Sequence, residues 1–238
     1  MKCAVVIPVG PGHEDCLRLA VASVESAWAC GHGQFSDLAT VPVMDADGKL
    51  GEGGARNAGV RLADGADWVF LLDADDLMAP SAFSIPMPDR GVADAAYGCI
   101  RLQRMPSYTK QEWATQEPRW GAGKTWDDLM EKGSDRTICI GGFFRRECLI
   151  AHPFREDLFP PACGTDWEFH LSFLAGHAYS KTDSPLVLLG THLPSAGGPR
   201  GVPSDFDWNK SAVPFFQFWR KRGRIPLSTD ERATRYWE

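Results

Sequence analysis

The six-residue run Asp67–Leu72 (DWVFLL) is the feature that most constrains the fold of this 238-residue chain. Its continuous apolar stretch is typical of a strand buried on both faces of a parallel sheet. Two short strand-like runs precede it, Val5–Pro8 and Leu38–Met44. Apolar residues at helical spacing lie between these runs, in residues 13–28 and again from Ala55 onward. Strand, helix, strand, helix and strand in succession predict an α/β fold.

The rest of the chain is less regular. Residues 79–136 are rich in Pro and Trp and predict loops with short elements. Thr165–Glu168 matches the S/T-x-x-E capping box and predicts a helix that continues to Ala175. Pro185–Leu189 predicts another strand, and residues 211–222 predict a final amphipathic helix.

Length and composition indicate one globular domain. The chain has ordinary hydrophobic and charged fractions, 44% and 24%, and contains no apolar stretch long enough to span a membrane. Its seven cysteines form no CxxC motif and no zinc-finger spacing, which favours reduced thiols and a cytoplasmic location. We expect one main domain over residues 1–205 and a basic, aromatic helix and tail over residues 206–238.

Charge is distributed unevenly along the chain. From Trp208 to Glu238, seven basic and three acidic side chains give a net charge of +4. The rest of the chain has a net charge of −10, and the two add up to −6 for the whole chain. The tail also contains Trp219, Tyr236 and Trp237. Basic and aromatic residues together are typical of nucleic-acid grooves, although basic residues also stabilise the C-terminal end of a helix.

Carboxylates follow the central apolar run directly, in Asp73-Ala-Asp75-Asp76. Ligands of open α/β sheets bind at the carboxyl ends of the strands. The period of two along the strand predicts that Asp73 and Asp75 lie on the same side and converge on one point. Such a group of hard oxygen ligands suits Mg²⁺ or Mn²⁺ together with substrate phosphates. Two other interpretations are a strand-end turn with helix caps and the Asp-x-Asp nucleophile of a phosphatase.

A glycine-rich segment, Gly53–Gly59 (GGARNAG), lies before this acidic cluster. Glycines at a helix entrance leave backbone N–H groups accessible to a phosphate, and Arg56 would add a charged donor. The segment therefore predicts a contact with an anionic ligand.

In this order the motifs resemble those of the family 2 glycosyltransferases, inverting enzymes of the GT-A fold that use nucleotide-diphospho-sugars. The resemblance covers about 195 residues and rests on these segments: Val5–Pro8, Ala55–Gly59, Phe70–Asp76, Gly164–Glu168, Pro185–Val187, and His192 followed by Ser195. It implies a single Rossmann-like domain with a mixed, mostly parallel sheet flanked by helices.

The resemblance also implies roles for individual residues. Asp75 would bind the Mn²⁺ or Mg²⁺ ion, with Asp73 near the ribose or indirectly at the metal, and His192 at the metal or diphosphate. Asp166 would be the catalytic base, although an acid there could merely complement a helix dipole. Two neighbours of the base would face the acceptor, Thr165 and Trp167, although Trp167 could equally pack in the core. The remaining donor-binding positions are Pro8, Val9, Gly10, Asp45, Arg56, Asn57 and Ala74.

The chain departs from the family pattern at several places. Val9-Gly10 replaces the usual Tyr-Asn after the first strand, and Thr165 replaces the usual Glu before the base. The segment between the first helix and Ala55–Gly59 is shortened. The acidic motif by which the family contacts the nucleobase has no clean counterpart after the second strand, where Asp45 and Asp47 are the available acids.

These observations predict an inverting, metal-dependent glycosyltransferase that moves a sugar from a nucleotide-diphosphate donor to an acceptor hydroxyl. The acceptor would be a saccharide or, given the basic tail, a hydroxymethylated base in phage-type DNA. A non-catalytic nucleotide-sugar binding module is the alternative, and an Asp-x-Asp phosphatase is a weaker one. The oligomeric state does not follow from the sequence.

Overall fold

A computed structural model describes residues 1–103, 141–156, 169–170, 173 and 176–190. Strands and helices alternate in its first part. The strands are β1 (Lys2–Val9), β2 (Asp37–Met44), β3 (Trp68–Leu71), β4 (Leu77–Met78), β5 (Ala95–Gln103), β6 (Gly142–Arg145) and β7 (Tyr179–Gly190). The helices are α1 (Glu14–Cys30), α2 (Gly51–Leu62) and α3 (Arg146–Ala151), with a short 3-10 turn at Ala82–Ser84.

All seven strands form one mixed sheet in the order β2-β1-β3-β6-β5-β7-β4. Strand β1 pairs in parallel with β2 and β3, and β5 pairs in parallel with β7. Strand β6 runs antiparallel to both β3 and β5. The β1–β2 and β5–β7 ladders are longer than any antiparallel ladder, so parallel pairing predominates. The predicted mixed, mostly parallel α/β sheet is confirmed.

Strand alternation divides the apolar residues between two cores. On one face, Val5 and Ile7 of β1 and Phe70 of β3 pack with α1, which contributes Ala20 and Val24. This arrangement follows from the period of two along each strand and the apolar stripe of the helix.

The opposite face forms the second core. Val6 of β1 and Leu71 of β3 lie there, together with Val60 of α2, Leu149 of α3 and Phe173. Helices therefore cover both faces of the sheet, which is the condition under which a continuous apolar run such as β3 is stable.

Three strands differ from the prediction: the two-residue strand β4, and the longer strands β5 and β6. Residues 79–136 were expected to form loops with short elements, but β5 is a nine-residue strand within that range. The four-residue strand β6 is fully buried between β3 and β5. Both depend on neighbours that are distant in sequence, so local composition did not predict them.

The remaining predictions can be placed in part. Residues 169–170 and 173 are helical, in agreement with the helix predicted after Thr165. The final helix at 211–222 and the division into residues 1–205 and 206–238 lie outside the described residues and stay predictions. No helix in the described part of the chain has both the length and the apolar character needed to cross a bilayer.

Candidate functional site

Three parallel strands end at the same edge of the sheet, and most of the predicted donor-binding residues follow them. The N–H of Asp45, just after β2, donates to the carbonyl of Val9 at the end of β1, with N···O 2.8 Å. The N–H of Leu72, just after β3, donates to the carbonyl of Val6. The predicted residues Pro8, Val9, Gly10, Asp45, Asp73, Ala74 and Asp75 are therefore brought to one edge. This is where open α/β sheets bind ligands.

The acidic cluster forms a turn rather than an extension of the strand. Strand β3 ends at Leu71, and the N–H of Asp76 donates to the carbonyl of Asp73 at 3.0 Å. The expectation that a strand period of two aligns Asp73 with Asp75 is wrong for this reason. The turn buries Ala74 and Asp76, whereas Asp73 and Asp75 remain partly exposed.

Asp73 is held by a buried guanidinium. Arg56 Nη2 lies 2.8 Å from Asp73 Oδ1 and 2.8 Å from Glu52 Oε1, one turn earlier in α2. Only 1% of the Arg56 side chain is exposed, and its guanidinium carbon lies 5.4 Å from the centre of the Phe154 ring. In this conformation Arg56 positions the Asp73 carboxylate instead of presenting a donor to an incoming phosphate, which differs from the expected direct contact.

Asp75 faces the start of α1. His13 Nε2 lies 3.9 Å from Asp75 Oδ2, and about a fifth of each side chain is exposed. The His13 N–H donates to the carbonyl of Gly10, which fixes the loop between β1 and α1 over the strand edge. The sequence interpretation did not single out His13. The only local signal was its position at the entrance of a helix that follows a Gly-Pro-Gly loop.

The donor set at this edge fits a hard divalent cation. Asp73 and Asp75 supply partly exposed carboxylate oxygens on a short turn, and His13 adds an imidazole nitrogen beside Asp75. Oxygen ligands with open space for water and phosphate are what Mg²⁺ requires, and Mn²⁺ accepts the same set. The residues present are therefore compatible with the predicted Mn²⁺ or Mg²⁺.

Two glycines of the Gly53–Gly59 segment, Gly53 and Gly59, serve close packing. They lie within α2 rather than before it. A Cβ on Gly59 would clash with Val6 of β1, and a Cβ on Gly53 would lie 2.7 Å from the carbonyl oxygen of Arg155. The predicted role as a phosphate-binding entrance is replaced by the tight contact of α2 with the sheet.

Asn57 connects α2 to the chain that follows α3. Its Nδ2 donates to the Phe154 carbonyl and to Glu156 Oε1, both at 2.8 Å, and its Oδ1 accepts from the Phe154 N–H at 2.9 Å. The side chain is 5% exposed and has three polar contacts within the fold. Asn57 thereby anchors the start of the segment that leads to Asp166.

Asp45 caps the entrance of α2. Its two carboxylate oxygens accept from the N–H groups of Leu50 and Gly51 at 3.0 and 2.9 Å, and the residue is 5% exposed. Asp47, by contrast, lies at the exposed tip of this loop, where its hydrogen bond with Lys49 lowers the pKa of the carboxyl group. Of the two acids that are candidates for contact with the nucleobase, only Asp45 is buried at the ends of the parallel strands.

Four predicted site residues lie outside the described part of the chain: Thr165, Asp166, Trp167 and His192. Their roles stay predictions. The described residues that follow Asp166 most closely in the sequence are Phe169 and His170, both of which are buried. His170 hydrogen-bonds with Tyr97 of β5 and Tyr179 of β7, each at 2.8 Å, so the helix that follows Asp166 is anchored in the second core.

Residues 39–146 match the family model described as glycosyl transferase family 2. The matched region runs from β2 to the first residue of α3 and contains α2 and the acidic turn. Among curated protein sequences, no significant match to the chain is found.

Solved glycosyltransferases share the architecture at low sequence identity. The structure of S. aureus TarS 1–349 in complex with UDP-GlcNAc is 14% identical and covers 97% of this chain and 78% of its own, with a TM-score of 0.54. Glucosyl-3-phosphoglycerate synthase from Mycobacterium tuberculosis, in complex with Mn²⁺, UDP-glucose and phosphoglyceric acid, is 13% identical. The alignment covers 95% of this chain and 81% of that one, with a TM-score of 0.53.

The extent of the match depends on the structure compared. Against two further TarS structures, TarS 1–349 and TarS, the chain spans 60% and 36% of their lengths. The motifs, the family model over residues 39–146 and the strand topology nevertheless agree. The resemblance indicated by the ordered motifs is therefore confirmed, and the chain is a GT-A-fold protein similar to the family 2 glycosyltransferases.

Proposed function

We propose that this protein is an inverting, metal-dependent glycosyltransferase that moves a sugar from a nucleotide-diphosphate donor to an acceptor hydroxyl. One observation carries the proposal: a partly exposed pair of carboxylates, Asp73 and Asp75, lies on the turn after β3, at the edge where β1 and β2 also end. The fixed position of Asp73, held by the buried Arg56, is the arrangement expected of a preorganised site.

Asp75 is the proposed protein ligand of the Mn²⁺ or Mg²⁺ ion, with Asp73 acting indirectly and His192 as a further ligand. A bound divalent ion supplies Lewis-acid stabilisation of the negative charge on the departing diphosphate. His13, 3.9 Å from Asp75, orients that carboxylate or contacts the diphosphate itself. Asp73, set by Arg56 and Glu52, is free on its exposed side to accept from a ribose hydroxyl.

The donor would lie along the end of β1 and the loop that precedes α2. Val9 is fully buried, so its backbone and that of Gly10 would form the floor under the nucleotide. Pro8, Ala74 and Asp45, which caps α2, would border the same space, while Asn57 would fix the wall formed by residues 154–156. A uridine nucleotide is the first donor to test, because both similar proteins were solved with UDP-sugars.

Asp166 is the proposed general base. It would accept the proton of the acceptor hydroxyl as that oxygen attacks the anomeric carbon from the side opposite the diphosphate, which inverts the configuration. Thr165 and Trp167 would border the acceptor. The described residues on either side of Asp166 in sequence are anchored, Phe154 and Glu156 by Asn57 and His170 by Tyr97.

The acceptor is proposed as a saccharide hydroxyl, with a hydroxymethylated DNA base as the second class. The only observation that favours DNA is the charge of +4 over residues 208–238, together with the aromatic residues there. Salt-dependent retardation of duplex DNA tests this class separately. If no complex forms at low salt, the DNA acceptor is excluded.

Turnover of nucleotide-sugars tests the enzymatic function. The full chain is incubated with labelled UDP-, GDP- and dTDP-sugars and Mn²⁺, and release of the nucleoside diphosphate is followed with the wild type and with Asp166→Asn. We expect a rate at least about a hundredfold lower in Asp166→Asn, within the range that general-base catalysis contributes. The matched control is Asp64→Asn, an exposed acid away from the site, which should turn over like the wild type.

The outcomes separate the alternatives. Nucleotide binding without turnover in the wild type would favour the non-catalytic binding module. Release of inorganic phosphate from phosphate monoesters, with a phosphoryl group on Asp73, would favour the phosphatase. Equal turnover by the wild type and Asp166→Asn would remove Asp166 from the role of base.

A further inference from the structure

A second group of ligand-type side chains lies far from the acidic turn. Asp94 precedes β5, Cys148 lies in α3, and His177 precedes β7. One potential ligand atom from each, a carboxylate oxygen, Sγ and an imidazole nitrogen, lies within 4.8 Å of the other two. These residues are 54 and 29 positions apart in sequence, so only the tertiary fold brings them together.

Topology places this group at the opposite edge of the sheet. Strand β5 runs antiparallel to β6, which runs antiparallel to β3, so β5 and β3 point the same way. Asp94 stands at the beginning of β5, whereas Asp73 and Asp75 follow the end of β3. The two groups therefore cannot share one ion.

Hydrogen bonds already orient the imidazole. His177 Nδ1 lies 2.8 Å from Asp94 Oδ2, and His177 Nε2 lies 2.9 Å from His152 Nδ1. Metal-binding histidines commonly use one nitrogen for the ion and bind a neighbouring polar group with the other, which fixes the ring and its tautomer. His152 occupies that outer position here.

The chemistry of the donors points to a transition metal. Thiolate, imidazole and carboxylate together suit Zn²⁺, in contrast to the carboxylates of the acidic turn, which suit Mg²⁺ or Mn²⁺. We propose that Asp94, Cys148 and His177 form a binding site for Zn²⁺ or a similar ion, with His152 positioning His177 and water completing the coordination.

The site is close to coordination geometry. Tetrahedral zinc separates its ligand atoms by about 3.5 Å, whereas these atoms lie within 4.8 Å of one another and His177 Nδ1 lies 2.8 Å from Asp94 Oδ2, so shifts of about 1 Å are needed to bind the ion. Cys148 is 8% exposed and His177 is 14% exposed, so the ion would be largely shielded from solvent. Burial and the charges of Asp94 and Glu147 raise the pKa of the Cys148 thiol to about 11, so binding must release that proton to the solvent.

The bound ion would add a side-chain cross-link among three elements that backbone hydrogen bonds already bring together, since the N–H of Asp94 donates to the carbonyl of Ala178 and the N–H of Arg145 donates to that of Asp94. The start of β5, the helix α3 and the start of β7 would be cross-linked at one point, so the ion would stabilise the second core. Zn²⁺ should accordingly raise the thermal unfolding midpoint of the wild type, because a ligand that binds only the folded state stabilises it.

Cobalt provides a probe specific to this site. Chelator-treated full chain is titrated with Co²⁺, and the near-ultraviolet band that arises from thiolate-to-cobalt charge transfer is followed. The carboxylates and imidazole around the acidic turn cannot give this band. We expect saturation at one equivalent in the wild type, loss of the band in Cys148→Ser, and retention in Cys3→Ser, a buried cysteine elsewhere in the sheet. His152→Gln should keep the band but weaken Co²⁺ binding about 10- to 100-fold.

A measurement on the wild type covers the case in which Cys148→Ser fails to fold. X-ray absorption at the zinc edge, with one equivalent of Zn²⁺ bound, should show one sulfur ligand at about 2.3 Å. If Cys148→Ser does not fold, Asp94→Asn is used in its place, because Asp94 is partly exposed. This variant should lower the Zn²⁺ affinity at least tenfold. A zinc shell without sulfur, no cobalt band in the wild type, or an equal band in Cys148→Ser would overturn the proposal.

Discussion

Arg56 is the residue on which the geometry of the acidic turn depends most directly. A guanidinium with 1% of its side chain exposed lies between two carboxylates that are each about one-third exposed. The planar fork of arginine allows one side chain to contact Glu52 within its own helix and Asp73 across the sheet edge, whereas an ammonium group cannot reproduce that geometry.

Arg56→Lys should therefore lower the free energy of unfolding by about 1–3 kcal/mol, the range for a lost charge-assisted hydrogen bond at a buried site. Urea denaturation measures the change. The matched control is Arg61→Lys, an exposed position on the same helix, where we expect a change within about 0.5 kcal/mol. Equal stability of the wild type and Arg56→Lys would show that Arg56 does not hold Asp73 in solution.

Site residues can be predicted from the sequence when the feature that marks them is local, but not when it depends on the tertiary fold. Asp73 and Asp75 were predicted because a strand and its terminal acids are adjacent in sequence. The pairing of Arg56 with Asp73 spans 17 positions and depends on how α2 packs against β1 and β2, so the sequence indicated an anion contact for Arg56 but not its partner. His13 and the group around Cys148 carry no motif spacing and needed the folded chain.

Helix α2 approaches the sheet at Gly59. No side chain fits there, because a Cβ would clash with Val6 and would lie 3.1 Å from Val43 Cγ2. Gly54, in the same helix, would place its Cβ in ordinary contact with Leu50 at 3.4 Å. Replacing each glycine with alanine therefore distinguishes the cost of overpacking at Gly59 from the gain in helix propensity at Gly54.

Gly59→Ala should destabilise the protein by about 1–3 kcal/mol through overpacking, although alanine favours the helix. Gly54→Ala should be neutral or stabilising by up to about 1 kcal/mol. Thermal unfolding of both variants provides the comparison. If Gly59→Ala proves as stable as Gly54→Ala, the close contact of α2 with β1 does not exist as described.

The helix that contains His170 is fixed by a buried polar network. Tyr97 Oη and Tyr179 Oη each lie 2.8 Å from a ring nitrogen of His170, and burial raises the pKa of the Tyr179 phenol. Removing either hydroxyl removes one hydrogen bond of the buried His170 ring, which costs free energy.

Tyr179→Phe should accordingly lower the free energy of unfolding by about 1–3 kcal/mol. Because both hydroxyls bind one ring, Tyr97→Phe and Tyr179→Phe should be non-additive in the double variant by at least about 0.5 kcal/mol. Chemical denaturation of the four forms measures this coupling. Strict additivity would contradict a shared network around His170.

At the level of elements, sequence patterns predicted what local hydrophobicity determines. Strands β1, β2 and β3 and helices α1 and α2 carry continuous or periodic apolar residues. Strand β5 contains Gly98 beside small residues, and β6 has four residues, so neither has a pattern that identifies it without its neighbours. Their burial between β3 and β7 is a property of the assembled sheet.

At the scale of the whole molecule, the two edges of one sheet are proposed to have different chemistry. The carboxyl ends of β1, β2 and β3 carry the acidic turn, where hard oxygen ligands favour Mg²⁺ or Mn²⁺ and a diphosphate. The opposite edge carries a thiol and imidazoles, which favour Zn²⁺. The acidic turn is tested by nucleotide binding with Mn²⁺, and the opposite edge by the spectroscopic signal of a thiolate bound to Co²⁺ or Zn²⁺.

The acidic turn is proposed to bind a nucleoside diphosphate through a divalent ion. Isothermal titration calorimetry of UDP, GDP and dTDP, with and without Mn²⁺, tests it most directly in the wild type, Asp75→Asn and the surface control Asp64→Asn. We predict that one nucleotide binds the wild type and Asp64→Asn only when Mn²⁺ is present, and that Asp75→Asn loses at least about 1.4 kcal/mol, a tenfold change in Kd. Nucleotide binding that is independent of Mn²⁺, or unchanged in Asp75→Asn, would show that the acidic turn does not bind the diphosphate through a metal ion.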